Sequence, residues 1–160
     1  EWLDFVCEYI LDNPEATPGG FKTSTKYEDW LKNINIENEQ LSTSFYFLMS
    51  GSRILGSVSI RPNLNTEMMR KYGGHIGFNI RPSERRKGYA TKMLRLALEK
   101  CNEIGLYDVM ITCLEDNIGS AKTIENNGGI LKEILYVPEK NVNFKIYWIN
   151  VKEALTNKEN

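Results

Sequence analysis

Histidine and cysteine are scarce in this chain: one histidine and three cysteines occur among 160 residues. Cys7, Cys101 and Cys113 are far apart and odd in number, so neither a disulfide framework nor zinc-ligand spacing is present. They read as reduced thiols in apolar surroundings, and no metal site is expected. Net charge is only −1, which excludes strong attraction to nucleic acid or to an anionic membrane. No apolar run approaches the length that spans a bilayer, and no signal-peptide pattern is visible. A cytoplasmic protein is expected. Internal repeats and low-complexity tracts are missing. No glycine is followed by Lys-Ser or Lys-Thr, which excludes a nucleoside-triphosphatase phosphate loop.

What remains is an ordinary globular composition, 41% hydrophobic and 26% charged, in a length that suits one domain over residues 1–160. Trp2, Phe5, Val6, Tyr9 and Ile10 recur at helical spacing and predict an amphipathic helix to about Leu11. Asn13-Pro14 and Pro18-Gly19-Gly20 predict a loop, and Tyr27–Asn35 a short second helix. Ser44–Met49 and the alternating Ile54–Ile60 predict a hairpin turning at Gly51-Ser52. A helical turn is expected at Thr66–Tyr72 and a strand at His75–Ile80. A long helix then runs from about Lys87 to Glu103, stopped by Gly105. Val109–Leu114 reads as a strand, Ser120–Asn126 as a helix ending at Gly128-Gly129. Ile130–Val137 and Val142–Val151 form a closing hairpin around Pro138-Glu139-Lys140-Asn141. Thr156–Asn160 reads as a frayed end. This order predicts a mixed sheet with helices on both faces.

The most informative stretch joins the third strand to the long helix: Arg85-Arg86-Lys87-Gly88-Tyr89-Ala90. Arg81, Arg85, Arg86 and Lys87 crowd this junction against one local acid, Glu84. A helix N-terminus offers unpaired N–H groups and the positive end of a dipole. Gly88 and Ala90 remove bulk there, so a phosphate can approach the backbone. The junction reads as an anion site, best suited to a pyrophosphate.

This loop resembles the acyl-CoA-binding loop of the GNAT N-acetyltransferase superfamily, whose pattern Gln/Arg-x-x-Gly-x-Gly/Ala is met by Arg85, Gly88 and Ala90. Gly73-Gly74-His75-Ile76-Gly77-Phe78-Asn79-Ile80 is similar to the family's fourth strand, and Asn117 to Gly129 to its second motif. A subgroup of predicted bacterial acetyltransferases shares the Gly-Gly-His-Ile-Gly and Asn-Asn-Gly-Gly stretches. The resemblance implies an α/β (α+β) fold: a mixed, mostly antiparallel central sheet, helices on both faces, and a splayed parallel strand pair that admits pantetheine. Because the chain begins at Glu1 within a helical pattern and without Met, a first strand usual in the family is expected to be missing.

The resemblance also implies acetyl-CoA as cosubstrate and a small-molecule or peptide amine as acceptor, attacking directly in a ternary complex. It implies cofactor contacts from Arg85, Arg86, Lys87, Gly88, Tyr89, Ala90 and Thr91, and main-chain contacts to pantetheine and the thioester from Phe78, Asn79 and Ile80. Asn117, Ser120 and Lys122 are expected near the cofactor arm; Asn117, beside the acetyl site, is also a catalytic candidate, and is free as well to cap the helix after it. Glu115 and Asp116 are candidates for holding the amine. His75, the sole imidazole, is a candidate general base, although the family's catalytic Glu matches Gly74, one residue away. Ile124 stands where many relatives carry an acidic Tyr, and Gly129 replaces an aromatic. Tyr107, Tyr136 and Tyr147 are the available substitutes. These departures keep a second reading open, a non-catalytic acyl-CoA-binding module; a longer acyl chain or another acceptor is a third. A homodimer is also left open.

Overall fold

In the computed structural model, residues 1–12, 27–32 and 42–156 are described. Helix α1 (Trp2–Asp12) is followed by α2 (27–32) and the hairpin of β1 (Ser44–Ser50) and β2 (Arg53–Ile60). Next come β3 (Ile76–Ile80), α3 (Tyr89–Glu103), β4 (Asp108–Leu114) and α4 (Ile118–Glu125). The chain closes with β5 (Ile130–Val137), β6 (Val142–Asn150) and α5 (Val151–Thr156). The expected loop at residues 13–20, the end of the second helix beyond residue 32 and the tail at 157–160 lie outside the described residues.

The strands form two three-stranded antiparallel sheets, β1-β2-β3 and β4-β6-β5. The long helix α3 connects β3 to β4, the kind of crossover that parallel neighbours need. The sheets meet at one point: His75 N–H donates to Met110 O at 2.8 Å. Beyond it, among the described residues, no ladder joins β3 to β4. The mixed fold with a splayed strand pair is therefore observed.

Alternation along β4 and β6 sends Val109, Ile111, Tyr147 and Ile149 to one face, where they pack with Met93, Leu94, Leu98 and Ile124 in the main core. Each such fully buried apolar side chain stabilises the fold by about 1.5–3 kcal/mol. A second core of Phe5, Val6, Tyr9, Trp30 and Ile54 sits under α1 and α2. One strand feeds both cores because β2 is bulged. Leu48 pairs with Gly56 but Met49 pairs with Ile54, so Leu55 is an extra residue. The extra residue turns Ile54 to the face opposite Val58 and Ile60. Ile54–Ile60 therefore does not keep the simple alternation its sequence suggests.

Three further details differ from the sequence reading. His75 lies one residue before β3. Residues Met69–Gly73 form a π-helical turn. Residues 151–156 form α5, not a strand end and tail. Asn150 Oδ1 caps that helix at Glu153 N–H (3.1 Å), and Arg95 binds the carbonyls of Ala154 and Leu155, each at 2.9 Å. The Asn-x-x-Glu spacing of Asn150 and Glu153 is a helix-start signal of the kind a capping box gives. Cys101 and Cys113 are buried as expected, but Cys7 is exposed on α1.

Candidate functional site

The loop between β3 and α3 has an alternating backbone. Arg86 (φ +64°) and Gly88 (φ +82°) are left-handed, while Arg85 is extended. Such alternation turns successive N–H groups toward one concavity. The first internal bond of α3 runs from Lys92 N–H to Gly88 O at 3.1 Å. Among the described residues, no acceptor faces the N–H groups of residues 86 to 91. A Cβ built on Gly88 would meet nothing within 4 Å. The glycine therefore serves backbone handedness and an open approach, not a tight protein contact.

The positive charge of this loop is largely neutralised from a distance. Arg81 is 2% exposed and is held by Glu1, by Glu8 Oε2 (2.6 Å) and by Ile54 O (3.0 Å). Arg85 pairs with Asp12 (2.8 Å) and lies over the Tyr9 ring. Lys87 pairs with Glu84 (2.9 Å). Arg86 is the loop cation without an acidic partner among the described residues. Burial would raise the Glu8 carboxyl, but hydrogen bonds from Ser83 and Arg81 outweigh it and hold it at about 2. Helix α1 is thus the clamp that positions the loop, and nothing local in the sequence announces it.

The gap between β3 and β4 lies behind this loop. Arg61 N–H donates to His75 O, and Arg81 N–H to Leu55 O. With the β2–β3 register, these bonds put the odd residues of β3 in the hydrogen-bonded pairs. The main-chain groups of Asn79 therefore belong to β2, contrary to the expectation that they face the cofactor. Those of Phe78 and Ile80 point to the open edge. Tyr9 Oη donates to Ile80 O at 2.6 Å, which leaves Phe78 N–H and C=O, and Ile80 N–H, without a partner among the described residues. On the other side, Thr112 and Leu114 present their main chain to the gap, and Leu114 O accepts from Asn117 N–H at 3.0 Å.

His75 is buried, and its Nδ1 accepts from Met110 N–H at 2.9 Å. Burial pushes the imidazole below its ordinary value, and the Arg61 charge acts in the same direction. A ring whose Nδ1 lone pair is already engaged carries its proton on Nε2 and has no free basic nitrogen. His75 joins the two sheets through this bond, an arrangement that leaves neither ring nitrogen as a free acceptor. Gly74 (φ +69°) explains the missing glutamate: a Cβ there would lie 2.8 Å from Met110 O.

Asn117 caps α4, its Oδ1 accepting from Ser120 N–H at 3.0 Å. Glu115 accepts from Asn143 Nδ2 at 2.7 Å. Asp116 and Lys122 are exposed, and Ser120 is half-buried. Ile124 is fully buried, and a Cβ on Gly129 would sit 2.4 Å from its Cγ2. The two departures from the family pattern are therefore one packing solution: the glycine makes room for the isoleucine. Of the three tyrosines, Tyr107 is exposed beneath Lys152, and Tyr136 is exposed and bonds Asn141. Tyr147 is buried, donates to Glu125 (2.9 Å), and has a hydroxyl pushed up by burial and that carboxylate. Sequence reasoning missed Asn127, which is 2% exposed and ties α4 to α3 through Thr123 O (2.9 Å) and Thr91 O (3.2 Å).

A cavity of about 380 Å³ opens on the sheet face opposite α3, over Met110, Ile146 and Trp148, with Tyr72, Glu133 and Tyr136 at its sides. Among the described residues, no group of His, Cys, Asp and Glu could hold a metal ion, and no helix is long and apolar enough to cross a membrane.

Residues 3–130 match the family model described as an acetyltransferase (GNAT) domain. A search of curated proteins by sequence gave no match. Solved structures share the fold at low identity. A mutant spermidine N-acetyltransferase from Vibrio cholerae is 16% identical, with TM-score 0.66, over 97% of this chain and 93% of its own. The microcin C7 self-immunity acetyltransferase, in complex with acetyl-CoA and AMP, is 19% identical, with TM-score 0.67, over 92% and 84%. RimJ of Mycobacterium smegmatis, in complex with CoA-disulfide, is 16% identical, with TM-score 0.67, over 95% and 77%.

Proposed function

Because the chain belongs to the GNAT acetyltransferase family, and so is an N-acetyltransferase using acetyl-CoA, we propose that it moves the acetyl group to a small primary amine by direct attack in a ternary complex. The observation that carries this reading is the run of N–H groups from residue 86 to 91, unpartnered among the described residues, beside an open strand edge at Phe78. These donors take the pyrophosphate, with Arg86 adding charge. Thr91, in the first turn of α3, adds a hydroxyl. Phe78 N–H and C=O pair with the pantetheine amides as a neighbouring strand would. The same edge supplies an amide to the thioester oxygen as negative charge develops on it.

The acceptor enters from the other face. The cavity over Trp148 is lined by Met110, the residue that bonds His75 where β3 and β4 part, and the amine is taken to approach the gap from this side. Holding both reactants in one gap supplies much of the acceleration. With His75 committed to Met110, the amine proton leaves through water, with Asp116, whose carboxylate has no side-chain partner among the described residues, as a candidate acceptor. Ile124 donates no proton, and Tyr147 is committed to Glu125. With no side chain placed to protonate it, the CoA sulfur leaves as thiolate and is protonated from solvent. The expected place of action is the cytoplasm, consistent with three free thiols.

Release of free thiol from acetyl-CoA, measured against a panel of primary amines, tests the reading. Amine-dependent thiol release at constant enzyme supports it. Tight CoA binding with no release from any amine would leave the binding-module reading.

A further inference from the structure

Two arginines are drawn into the protein, and only one of them is given acids. Arg81 is held by Glu1 and Glu8. Arg61, the residue after β2, is half-buried and donates to neutral oxygens instead. Its Nε–H goes to Gly74 O at 3.1 Å and one Nη1–H to Ser59 Oγ at 3.0 Å, leaving one N–H on Nη1 and both on Nη2 without an acceptor among the described residues. Burial holds the guanidinium below its ordinary value, and no carboxylate offsets that effect. A cation taken partly out of water and left unpaired is costly. The open end of this guanidinium is a planar fork of the shape that a carboxylate fits.

The fork stands where the sheets part. The register sets Ser59 against Gly77 and Ile60 against Ile76, and Arg61 N–H donates to His75 O, so Arg61 is the cross-strand neighbour of His75. Ile60 and Ile76 point into the main core, so Arg61 and His75 face away from α3. A Cβ built on Gly77 would lie 3.3 Å from Arg61 Nη2, so the glycine leaves room for the guanidinium over β3. The next residue, Phe78, carries the open main-chain edge. From the other sheet, Met110 and Trp148 meet the His75 ring, and both line the cavity. Cation, gap and cavity therefore share one face.

We propose that Arg61 receives a carboxylate of the acceptor, and that the acceptor is a free amino acid. The inference rests on the acetyl-transfer reading above and names its substrate class. Gly77, under the guanidinium, and Phe78, at the open edge, are adjacent, with Cα atoms about 3.8 Å apart. Acid and amine therefore lie close together in the acceptor, as they do about a single carbon. A diamine brings a second cation that Arg61 repels, and the N-terminus of a peptide has no free carboxylate beside its amine. The amino acid side chain enters the cavity, where Leu135, Ile146 and Trp148 favour an apolar group. The chemistry is that of the proposed transfer: the C–N bond forms, the C–S bond breaks, the electron pair leaves on sulfur, and the amine proton passes to water.

Thiol release from acetyl-CoA tests the assignment with matched acceptors, each standard amino acid against the amine that lacks only its carboxylate, such as leucine against isopentylamine. Phosphoethanolamine against ethanolamine is the control for another anion. The parent prefers at least one amino acid over its matched amine by at least about tenfold in kcat/KM. Arg61→Gln lowers that ratio at least about tenfold, through KM for the amino acid. Circular dichroism and CoA calorimetry check the fold of the variant; where it fails to fold, Arg61→Lys, which keeps the charge and loses the fork, reads the same ratio. A parent that acetylates amines without preferring any amino acid, or a preference that survives the substitution, overturns the proposal and leaves the acetyltransferase reading standing. A preference for phosphoethanolamine alone overturns the carboxylate assignment. If no acceptor is acetylated, the transfer reading fails by itself, and titration of the amino acids into CoA-saturated protein decides: binding that Arg61→Gln abolishes supports the carboxylate site, and no binding overturns it.

Discussion

Glu8→Gln removes half of the clamp that α1 applies to the loop before α3. In the parent, one carboxylate oxygen accepts from Arg81 at 2.6 Å and the other from Ser83 N–H at 2.6 Å. Glutamine keeps one acceptor oxygen and puts an NH2 where the second was, so one donor loses its partner. Arg81 is 2% exposed and retains only Glu1 and Ile54 O. Breaking a buried pair by removing one partner costs about 3–5 kcal/mol, and an unpaired buried donor about 1–3. The Glu8 side chain is 28% exposed, so the low end applies, about 2–3 kcal/mol. In urea this lowers the midpoint by about 1 M at unchanged slope. Adding Arg81→Met should recover much of the loss, since an apolar side chain leaves no stranded charge. The pH dependence follows from the lowered carboxyl. The stability from Glu8 is complete above its ordinary value of 4.5 and is lost as pH falls toward about 2. The difference between parent and Glu8→Gln should therefore narrow over that window. A loss below about 0.5 kcal/mol at neutral pH, the range of ordinary surface changes, would refute the clamp.

Other expectations follow from the same geometry. His75→Asn keeps an acceptor near Met110 N–H and should cost little, whereas His75→Leu strands that amide and should cost about 1–3 kcal/mol in urea unfolding. Neither change should remove an ionisation from the kcat/KM profile; loss of an acidic limb near pH 6–7 in both would restore His75 as the base. Because burial lowers the His75 pKa, the unfolded chain binds more protons, so parent stability should decline as pH falls below about 6.5, and His75→Leu should lack that component. Gly129→Ala should cost about 1–3 kcal/mol by overpacking against Ile124, with thermal unfolding as the readout. Ile124→Val should cost about 1 kcal/mol and leave the alkaline limb of kcat unmoved, whereas a shifted limb would give this position a part in proton transfer.

Much of the fold was legible because periodicity and punctuation are local. The apolar face of α3, the turn at Gly51-Ser52 and the stop at Gly105 are written within a few residues of where they act. The sharp turn before α3 at Gly88 was legible for the same reason. What was not legible depends on pairings between distant residues. Arg85 read as a ligand for an anion and Arg81 as part of the positive charge around it, but their acids arrive on α1 from more than 70 positions away. Asn79 read as a cofactor contact because the sequence does not show which residues of β3 pair with β2. His75 read as a base until Met110 was placed on its lone pair. Ile124 and Gly129 read as two separate departures, yet they are a single contact. Helix α5 was a local miss, since the Asn150–Glu153 signal was present in the sequence.

The central claim is that acetyl-CoA is held by the backbone of residues 86–91. Calorimetric titration of CoA into the parent, Gly88→Leu and the surface control Lys100→Ala tests it most directly. Leucine at Gly88 meets a left-handed backbone and fills the open space before the loop, whereas Lys100 pairs with Glu103 on the exposed side of α3. Gly88→Leu should weaken CoA binding at least about tenfold, equivalent to 1.4 kcal/mol, while Lys100→Ala leaves it unchanged. Equal CoA affinity for Gly88→Leu and the parent would contradict the account.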